Sequence, residues 1–243
     1  MLTELAPAII LALAAFTFSF AGFGFPWVAL PLLSLVMPLR EAIIFHYPFV
    51  LALVFYHAWR YRGHLAWRRH LPLLIGAAAG MPLGVWLLLV LPEEGMRKGM
   101  AVFVALSVLA LSRDWGERLA RKVSSTPLGG VAIGVLSGWL QGAYAIGGPP
   151  VVLYIMARAQ SPQEVKGFLG VYFTFICVVT ASLYAINGLF TAHWFKMSLY
   201  FSPAVLVGAV VGAWAFNRVG AEWFRRIVLV LLFAAAVALW FSS

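Results

Sequence analysis

Charge is scarce in this chain. Of its 243 residues only 10% are charged and 63% are hydrophobic, whereas about a quarter of the residues of a soluble domain are charged. One water-soluble core of this length could not bury so much apolar surface. The composition therefore excludes a soluble fold and predicts a polytopic α-helical membrane protein.

Other absences narrow the function. Cys177 is the single cysteine, so no disulfide forms within the chain. The sequence has no phosphate-binding Gly-x-x-x-x-Gly-Lys-Ser/Thr loop, no His-Glu-x-x-His and no Gly-x-Ser-x-Gly, the usual signs of nucleotide hydrolysis, zinc proteolysis and serine hydrolysis. No basic segment precedes the first apolar run, which favours a retained first helix over a signal peptide. We expect no catalytic residue, no cofactor and no bound metal.

Long uncharged stretches fill the chain instead. A bilayer crossing needs roughly 20 apolar residues, and two stretches of 35 residues exceed that length. The eight stretches are Leu5–Leu39, Ala42–Trp59, Leu71–Pro92, Gly99–Ser112, Val123–Ala157, Gly167–Phe195, Met197–Asn217 and Ile227–Ser243. The formal charge of +9 sits in the short loops between them. The positive-inside rule explains that placement without a nucleic-acid partner.

The two halves of the chain are similar to each other. A shift of 123 residues superimposes Gly24 on Gly147, Pro26 on Pro149 and Glu41 on Glu164, and a shift of 128 superimposes Gly80 on Gly208, Gly84 on Gly212 and Trp86 on Trp214. Such internal repeats are typical of transporters. We predict a first transmembrane repeat over 1–112, a basic cytoplasmic linker over 113–127 and a second repeat over 128–243.

Each 35-residue stretch is interrupted by helix breakers, Gly22-Phe23-Gly24-Phe25-Pro26 in the first and Gly147-Gly148-Pro149-Pro150 in the second. The stretch is either one long broken crossing or a segment that enters, turns and leaves on the same side. If both stretches cross once, nine Lys/Arg lie inside and eight outside. If both re-enter, thirteen lie inside and four (Arg40, Arg97, Lys98 and Lys196) outside. The positive-inside rule favours re-entry.

Re-entry leaves three full crossings in each half, and it inverts the halves relative to each other. The predicted fold is thus an all-α integral membrane protein of two inverted repeats, each with a broken, re-entrant segment and three transmembrane helices. The loops agree, since the basic loop Arg60–His70 corresponds to Asn187–Lys196, which carries one lysine.

The breaks are the candidate substrate site. Helices that restart at Pro26 and Pro149 would present backbone N–H groups and a partial positive charge at mid-membrane, which suits a small anion. No Lys or Arg lies deep in an apolar stretch, where a charged side chain is costly. The alternative is that the breaks are kinks between packed helices. The predicted substrate-binding residues are Gly22, Phe23, Gly24, Phe25, Pro26, Gln141, Tyr144, Gly147, Gly148, Pro149, Pro150 and Tyr154.

Three further features have both a functional and a structural interpretation. His46 is a candidate for proton coupling or an ordinary packed histidine, and it lies about 16 Å along a helix from His57, too far to share a metal ion. Cys177 is a redox centre or a small apolar side chain. Glycines at four-residue spacing, such as Gly130 to Gly142, let helices pack closely, in this chain or in a homo-oligomer.

These motifs resemble the TauE/SafE family of sulfite exporters and anion permeases. The resemblance rests on Gly22–Pro31 and Gly142–Tyr154, on Pro38-Leu39-Arg40-Glu41-Ala42, on Arg62-Gly63-His64-Leu65-Ala66-Trp67-Arg68 and on the two Gly-x-x-x-Gly helices. It implies transport of sulfite, thiosulfate or a sulfonate. The first break is less rich in glycine than the family pattern, and thiosulfate-handling relatives use several cysteines.

The leading hypothesis is a secondary transporter that moves a small anion by alternating access of the repeats in the cytoplasmic membrane. The expected partners are the anion and the lipid bilayer. A membrane-embedded enzyme and an accessory assembly subunit are the alternatives. A membrane-embedded enzyme would need catalytic groups within the membrane, whereas the acidic residues lie at the ends of the uncharged stretches. An accessory assembly subunit would leave the occurrence of a helix break in both repeats unexplained.

Overall fold

The uncharged stretches fold into helices. The computed structural model describes residues 2–21, 24–60, 70–112, 123, 126–156, 158, 162–216 and 221–241. These residues form ten α-helices and no strand, which confirms the all-α class. Most of the predicted linker and the Arg62–Arg68 motif lie outside the described residues.

Five helices come from each half of the chain. The first five are α1 (Leu2–Ala21), α2 (Phe25–Leu33), α3 (Leu39–Arg60), α4 (Leu71–Val90) and α5 (Glu93–Ser112). The second five are α6 (Pro127–Tyr144), α7 (Gly148–Met156), α8 (Pro162–Ile186), α9 (Ala192–Phe216) and α10 (Ala221–Phe241). A shift of 123 residues carries both ends of α2 onto those of α7 and the start of α3 onto that of α8.

Four helices are long and apolar enough to cross a membrane among the described residues: Leu39–Tyr56, Leu71–Val90, Gly167–Ile186 and Ala192–Ala215. They belong to α3, α4, α8 and α9, four of the six helices predicted as full crossings. The other two, α5 and α10, begin with charged turns. Their crossing stays a prediction, as does the inversion of the repeats.

The helices form two compact units, and each unit draws on both halves of the sequence. One unit comprises Met1–Phe49, Leu91–Ser112 and Phe190–Ser243, and the other comprises Val50–Val90 and Arg113–Leu189. In the first unit α1 packs on α9 and α5 packs on α10. In the second, α4 packs on α6 and α8 packs on α4, α6 and α7. The α1–α9 and α6–α4 pairs are equivalent under the repeat.

The α4–α6 pair packs with backbone against backbone. A Cβ atom on Gly80 would lie 2.2 Å from Val135 O, and one on Gly138 would lie 2.1 Å from Ala77 O. Both helices place glycines at four-residue spacing along this contact: Gly76, Gly80, Gly84, Gly134, Gly138 and Gly142. The glycine ladders of α4 and α6 therefore pack on each other within one chain, as small residues do in membranes.

Charged residues fix the start of α3 in the first unit. The Glu93 carboxylate accepts a hydrogen bond from Leu39 N–H, the first amide of α3, and pairs with Arg97 Nε at 3.2 Å. Arg97 also donates to Met37 O at 3.3 Å, and the Arg40 guanidinium donates to Leu91 O. These bonds join the α2–α3 connection to the turn between α4 and α5.

We expect Glu93→Ala to destabilise the protein by about 1–2 kcal/mol, because α3 loses a cap and Arg97 loses its carboxylate partner. Glu94→Ala is the matched control, since the exposed Glu94–Lys98 pair lies one residue along and such surface pairs contribute little to stability. Thermal unfolding of the purified variants in detergent measures the difference. Equal midpoints for the two variants would contradict this role for Glu93.

Candidate functional site

The second break begins with a tight left-handed turn. Helix α6 ends at Tyr144, and Ala145 follows in a left-handed conformation with φ of 54°. Ala145 N–H donates to Gln141 O at 2.8 Å, and Ile146 N–H donates to Leu140 O at 3.4 Å. The first is the bond of an αL cap, in which the N–H group of the left-handed residue bonds to the carbonyl group four residues earlier and satisfies it.

Beyond this turn, α7 runs back along α6. Gly147 O is 2.5 Å from Ser137 Oγ, ten residues earlier, and the Tyr154 hydroxyl lies 3.5 Å from the Cβ position of Gly130. Gly147, just before α7, thus meets Ser137, and Tyr154 within α7 meets a residue earlier in α6 than Ser137. The α6–α7 segment is therefore a helical hairpin and not one long broken helix, which is the chain course that re-entry requires.

Side chains hold both polar groups of the Gly147 residue. Gln141 Oε1 accepts from Gly147 N–H at 3.0 Å, and Ser137 Oγ donates to Gly147 O. The Tyr172 hydroxyl of α8 donates to Ser137 Oγ at 2.7 Å. Ser137, Gln141 and Tyr172 are buried, where consecutive hydrogen bonds strengthen one another. We call these three residues the Gly147 latch. It fixes the point at which α7 begins.

The N-terminal end of α7 offers few hydrogen-bond donors. Pro149 and Pro150 lack an N–H group, which leaves Gly148 N–H as the only amide among the first three residues of the helix. Gly148 is partly exposed, and a Cβ atom on it would contact Phe173 at 3.4 Å. One amide and the helix dipole suit an anion of low charge better than a polyanion.

The first break has a similar course with different chemistry. Gly24 adopts a left-handed conformation, with φ of 99°, before α2, and no side chain caps that helix. The Cβ position of Gly24 lies 3.9 Å from Thr17 Cγ2, so the chain folds back there as well. Thr17 Oγ1 donates to Leu13 O at 2.9 Å within its own helix. Phe25 is the first residue of α2, and its N–H has no acceptor inside that helix.

His46 lies against this first turn of α2. Its ring stacks on that of Phe25, with ring centroids 6.4 Å apart and an interplanar angle of 15°, and it meets the Tyr47 ring edge-on. His46 Nδ1 is 2.9 Å from Ala42 O. The side chain is fully buried, and Nε2 has no hydrogen-bond partner among the described residues.

The environments of the two breaks differ at equivalent positions. Around the second break, the latch residues are Ser137, Gln141 and Tyr172. Under the 123-residue shift, the corresponding residues of the first half are Ala14, Phe18 and Phe49. His46 corresponds to Leu169. The second break is therefore fixed by polar side chains, whereas the first has apolar residues in their place and one histidine.

The structure separates some of the predicted site residues. Phe25 and Pro26 begin α2, and Gly148, Pro149 and Pro150 begin α7. Gln141 bonds to the backbone of the break. Tyr144 is buried at the end of α6. Tyr154 lies near the opposite end of α7, beneath the Arg158 guanidinium and beside the His70 ring. Gly22 and Phe23 lie outside the described residues.

Ser137, Tyr172 and Tyr184 are not among the residues predicted from the sequence, and the Tyr184 hydroxyl donates to Gly142 O at 2.8 Å. One signal was available, because Ser137 precedes Gln141 by four residues and hence shares its helix face. Cys177 Sγ accepts from Gln141 Nε2 at 3.7 Å, so the thiol supports the latch residue. Among the described residues, no three His, Cys, Asp or Glu side chains gather as metal ligands do.

Apolar spanning helices and paired helical hairpins define an integral membrane protein of the all-α class. The sequence model of the family described as "Sulfite exporter TauE/SafE" matches residues 8–239, and the chain belongs to this family. The predicted resemblance is thereby confirmed, and the protein is a membrane transporter of the anion-exporter type. Comparison with curated proteins and with solved structures finds no match.

Proposed function

We propose that this protein is a secondary transporter that moves a small sulfur-containing or organic anion, such as sulfite, thiosulfate or a sulfonate. Transport proceeds by alternating access of the two repeats in the cell membrane, which the chain crosses several times. The observation that carries the proposal is the pair of nine-residue helices, Phe25–Leu33 and Gly148–Met156, each entered through a left-handed turn.

The N-terminal ends of these short helices are the proposed anion contacts. Each provides a partial positive charge and an amide with no acceptor in its own helix. At α7 the two prolines leave one such amide, which favours a small oxyanion or sulfonate over an anion that needs many donors. With no nucleotide-binding motif in the sequence, the energy for transport comes from a gradient of the anion or of a coupled ion.

Flux into proteoliposomes tests the proposal. The purified full chain is reconstituted, and uptake of labelled sulfite, thiosulfate and a sulfonate is followed against protein-free vesicles. We expect saturable uptake of at least one of these anions, reduced by an excess of the unlabelled anion. If the protein elutes as a folded species in detergent and carries none of the three, the proposal is wrong.

The variant Gly148→Ala tests the anion contact at α7. The added methyl group would meet Phe173 at an ordinary contact distance, so the fold should persist, but the methyl group would lie beside the Gly148 amide. We expect the KM for the anion to rise, by about tenfold for each 1.4 kcal/mol of binding free energy lost. The unfolding midpoint should not change. The control is Gly95→Ala, whose methyl group meets its nearest neighbour at 3.8 Å in α5. Equal KM values in both variants would remove Gly148 from the site.

A further inference from the structure

The tautomer of His46 follows from the hydrogen bond at Nδ1. Ala42 O is an acceptor only, so the nitrogen 2.9 Å from it, Nδ1, carries the hydrogen. In the neutral ring Nε2 then presents a lone pair. Nε2 is buried and has no partner among the described residues. A buried acceptor left in this state is costly, a cost that the corresponding Leu169 avoids. The lone pair leaves Nε2 able to accept a proton.

The surroundings of His46 are apolar and uncharged. Helix α2 contributes the Phe25 ring, and α3 itself contributes the Tyr47 ring, whose phenol is the titratable neighbour. The charged residues of the α3 first turn are Arg40, bonded to Leu91 O, and Glu41, which is exposed. No carboxylate, lysine or arginine of the described residues interacts with the imidazole. A proton on Nε2 would therefore have no counter-charge from the described side chains.

We propose that His46 Nε2 binds one proton together with the transported anion. This proposal rests on the proposed function. The first turn of α2, against which the imidazole packs, carries partial positive charge, so an imidazolium alone is disfavoured there. An anion at the same helix end neutralises both charges. Each ligand then strengthens the binding of the other by the same factor, and proton and anion cross the membrane together.

The proton has two possible sources, which have the same effect on Nε2. It is taken from solution, or an anion such as hydrogensulfite brings it as its own acidic hydrogen. A sulfonate stays fully ionised between pH 5 and pH 8, so it brings no proton. If protons move with a sulfonate, the proton comes from solution. If protons move with sulfite but not with a sulfonate, the substrate brings the proton.

The experiment measures protons and anions in the same vesicles. Proteoliposomes hold a pH-sensitive dye, and an inward gradient of sulfite or of a sulfonate is imposed. We expect about one proton to enter with each anion. In His46→Gln, which keeps a donor and an acceptor but does not titrate, anion flux should continue with a raised KM, because no proton strengthens anion binding, while the proton-to-anion ratio falls to zero. His193→Gln is the matched control, since His193 is exposed, and its ratio should stay at about one.

An unchanged ratio in His46→Gln would overturn the assignment of the proton to His46. Failure of wild-type protein to carry any anion would overturn the proposed function itself, so the two failures are distinguishable. If His46→Gln does not fold, calorimetry of anion binding to wild-type protein, in buffers of different ionisation enthalpy, replaces it. Uptake of about one proton per bound anion supports the proposal, and no uptake with either anion overturns it.

Discussion

The variant Gly80→Ala is expected to unfold in detergent at a clearly lower temperature than wild type. Its methyl group would lie 2.2 Å from Val135 O and 2.9 Å from Trp139 N, both of them backbone atoms of α6. No side-chain rotation relieves that contact, so α4 and α6 must separate along their glycine ladders. Overpacking a close contact costs about 1–3 kcal/mol, occasionally more. At roughly 2–4 °C per kcal/mol for a chain of this length, the unfolding midpoint falls by several degrees or more.

Gly95→Ala is the control for this prediction as well. Gly95 lies in α5, and the nearest atom to its added methyl group is 3.8 Å away. Alanine favours a helix over glycine by about 1 kcal/mol, so this variant should unfold at the same temperature or higher. Thermal unfolding of both variants, followed by the loss of monodisperse protein, gives the comparison. A midpoint for Gly80→Ala equal to that of Gly95→Ala would show that the α4–α6 contact is looser than described.

The positions of the short helices could be predicted from sequence because few residues determine them. Glycine and proline disfavour helix interiors irrespective of tertiary contacts, so Gly24-Phe25-Pro26 and Gly147-Gly148-Pro149 mark where α2 and α7 begin. The return of α7 along α6 was also predicted, from the count of Lys and Arg in loops. That count is independent of helix packing, because the cost of moving charge across a bilayer depends on the loops, and re-entry into the membrane stays a prediction.

The grouping of the helices into two units could not be predicted in the same way. Lipid chains are as apolar as leucine, so an apolar helix face does not indicate which partner it has. The sequence placed α1 and α4 in one repeat, yet α1 packs on α9 and α4 packs on α6. The glycine ladders indicated close contacts but gave no information about the partner helix.

The polar contacts of the second break were predicted only in part. An amide deep in an apolar stretch is unusual, so the sequence predicts Gln141 as a substrate contact. The structure assigns its Oε1 to Gly147 N–H. Ser137 went unnoticed because serine in an apolar helix commonly bonds to its own backbone, as Thr17 does here. Only the return of the chain at Ala145 brings Gly147 O to Ser137, so the shared helix face with Gln141 indicates a possible partner of that residue but not this contact.

The Gly147 latch leads to the second large effect, which is on transport. In Ser137→Ala, Gly147 O loses its donor and the Tyr172 hydroxyl loses its acceptor, both in buried positions. Each unsatisfied group costs about 1–3 kcal/mol. The strain can be relieved if Gly147 moves, and the start of α7 moves with it. We therefore expect reduced stability and weaker anion binding in one variant, measured as a lower unfolding midpoint and a raised KM in proteoliposomes.

Tyr172→Phe separates the positioning role from a loss of stability. It removes the hydroxyl that donates to Ser137 but leaves Ser137 free to donate to Gly147 O, so KM should change less than in Ser137→Ala. Adding Tyr172→Phe to Ser137→Ala removes an orphaned hydroxyl, and the double variant should be no less stable than Ser137→Ala alone, a non-additivity expected of bonded neighbours. Ser182→Ala on the exposed face of α8 is the control and should match wild type. If Ser137→Ala lowers the unfolding midpoint while its KM stays at the wild-type value, the latch stabilises the hairpin without positioning the anion.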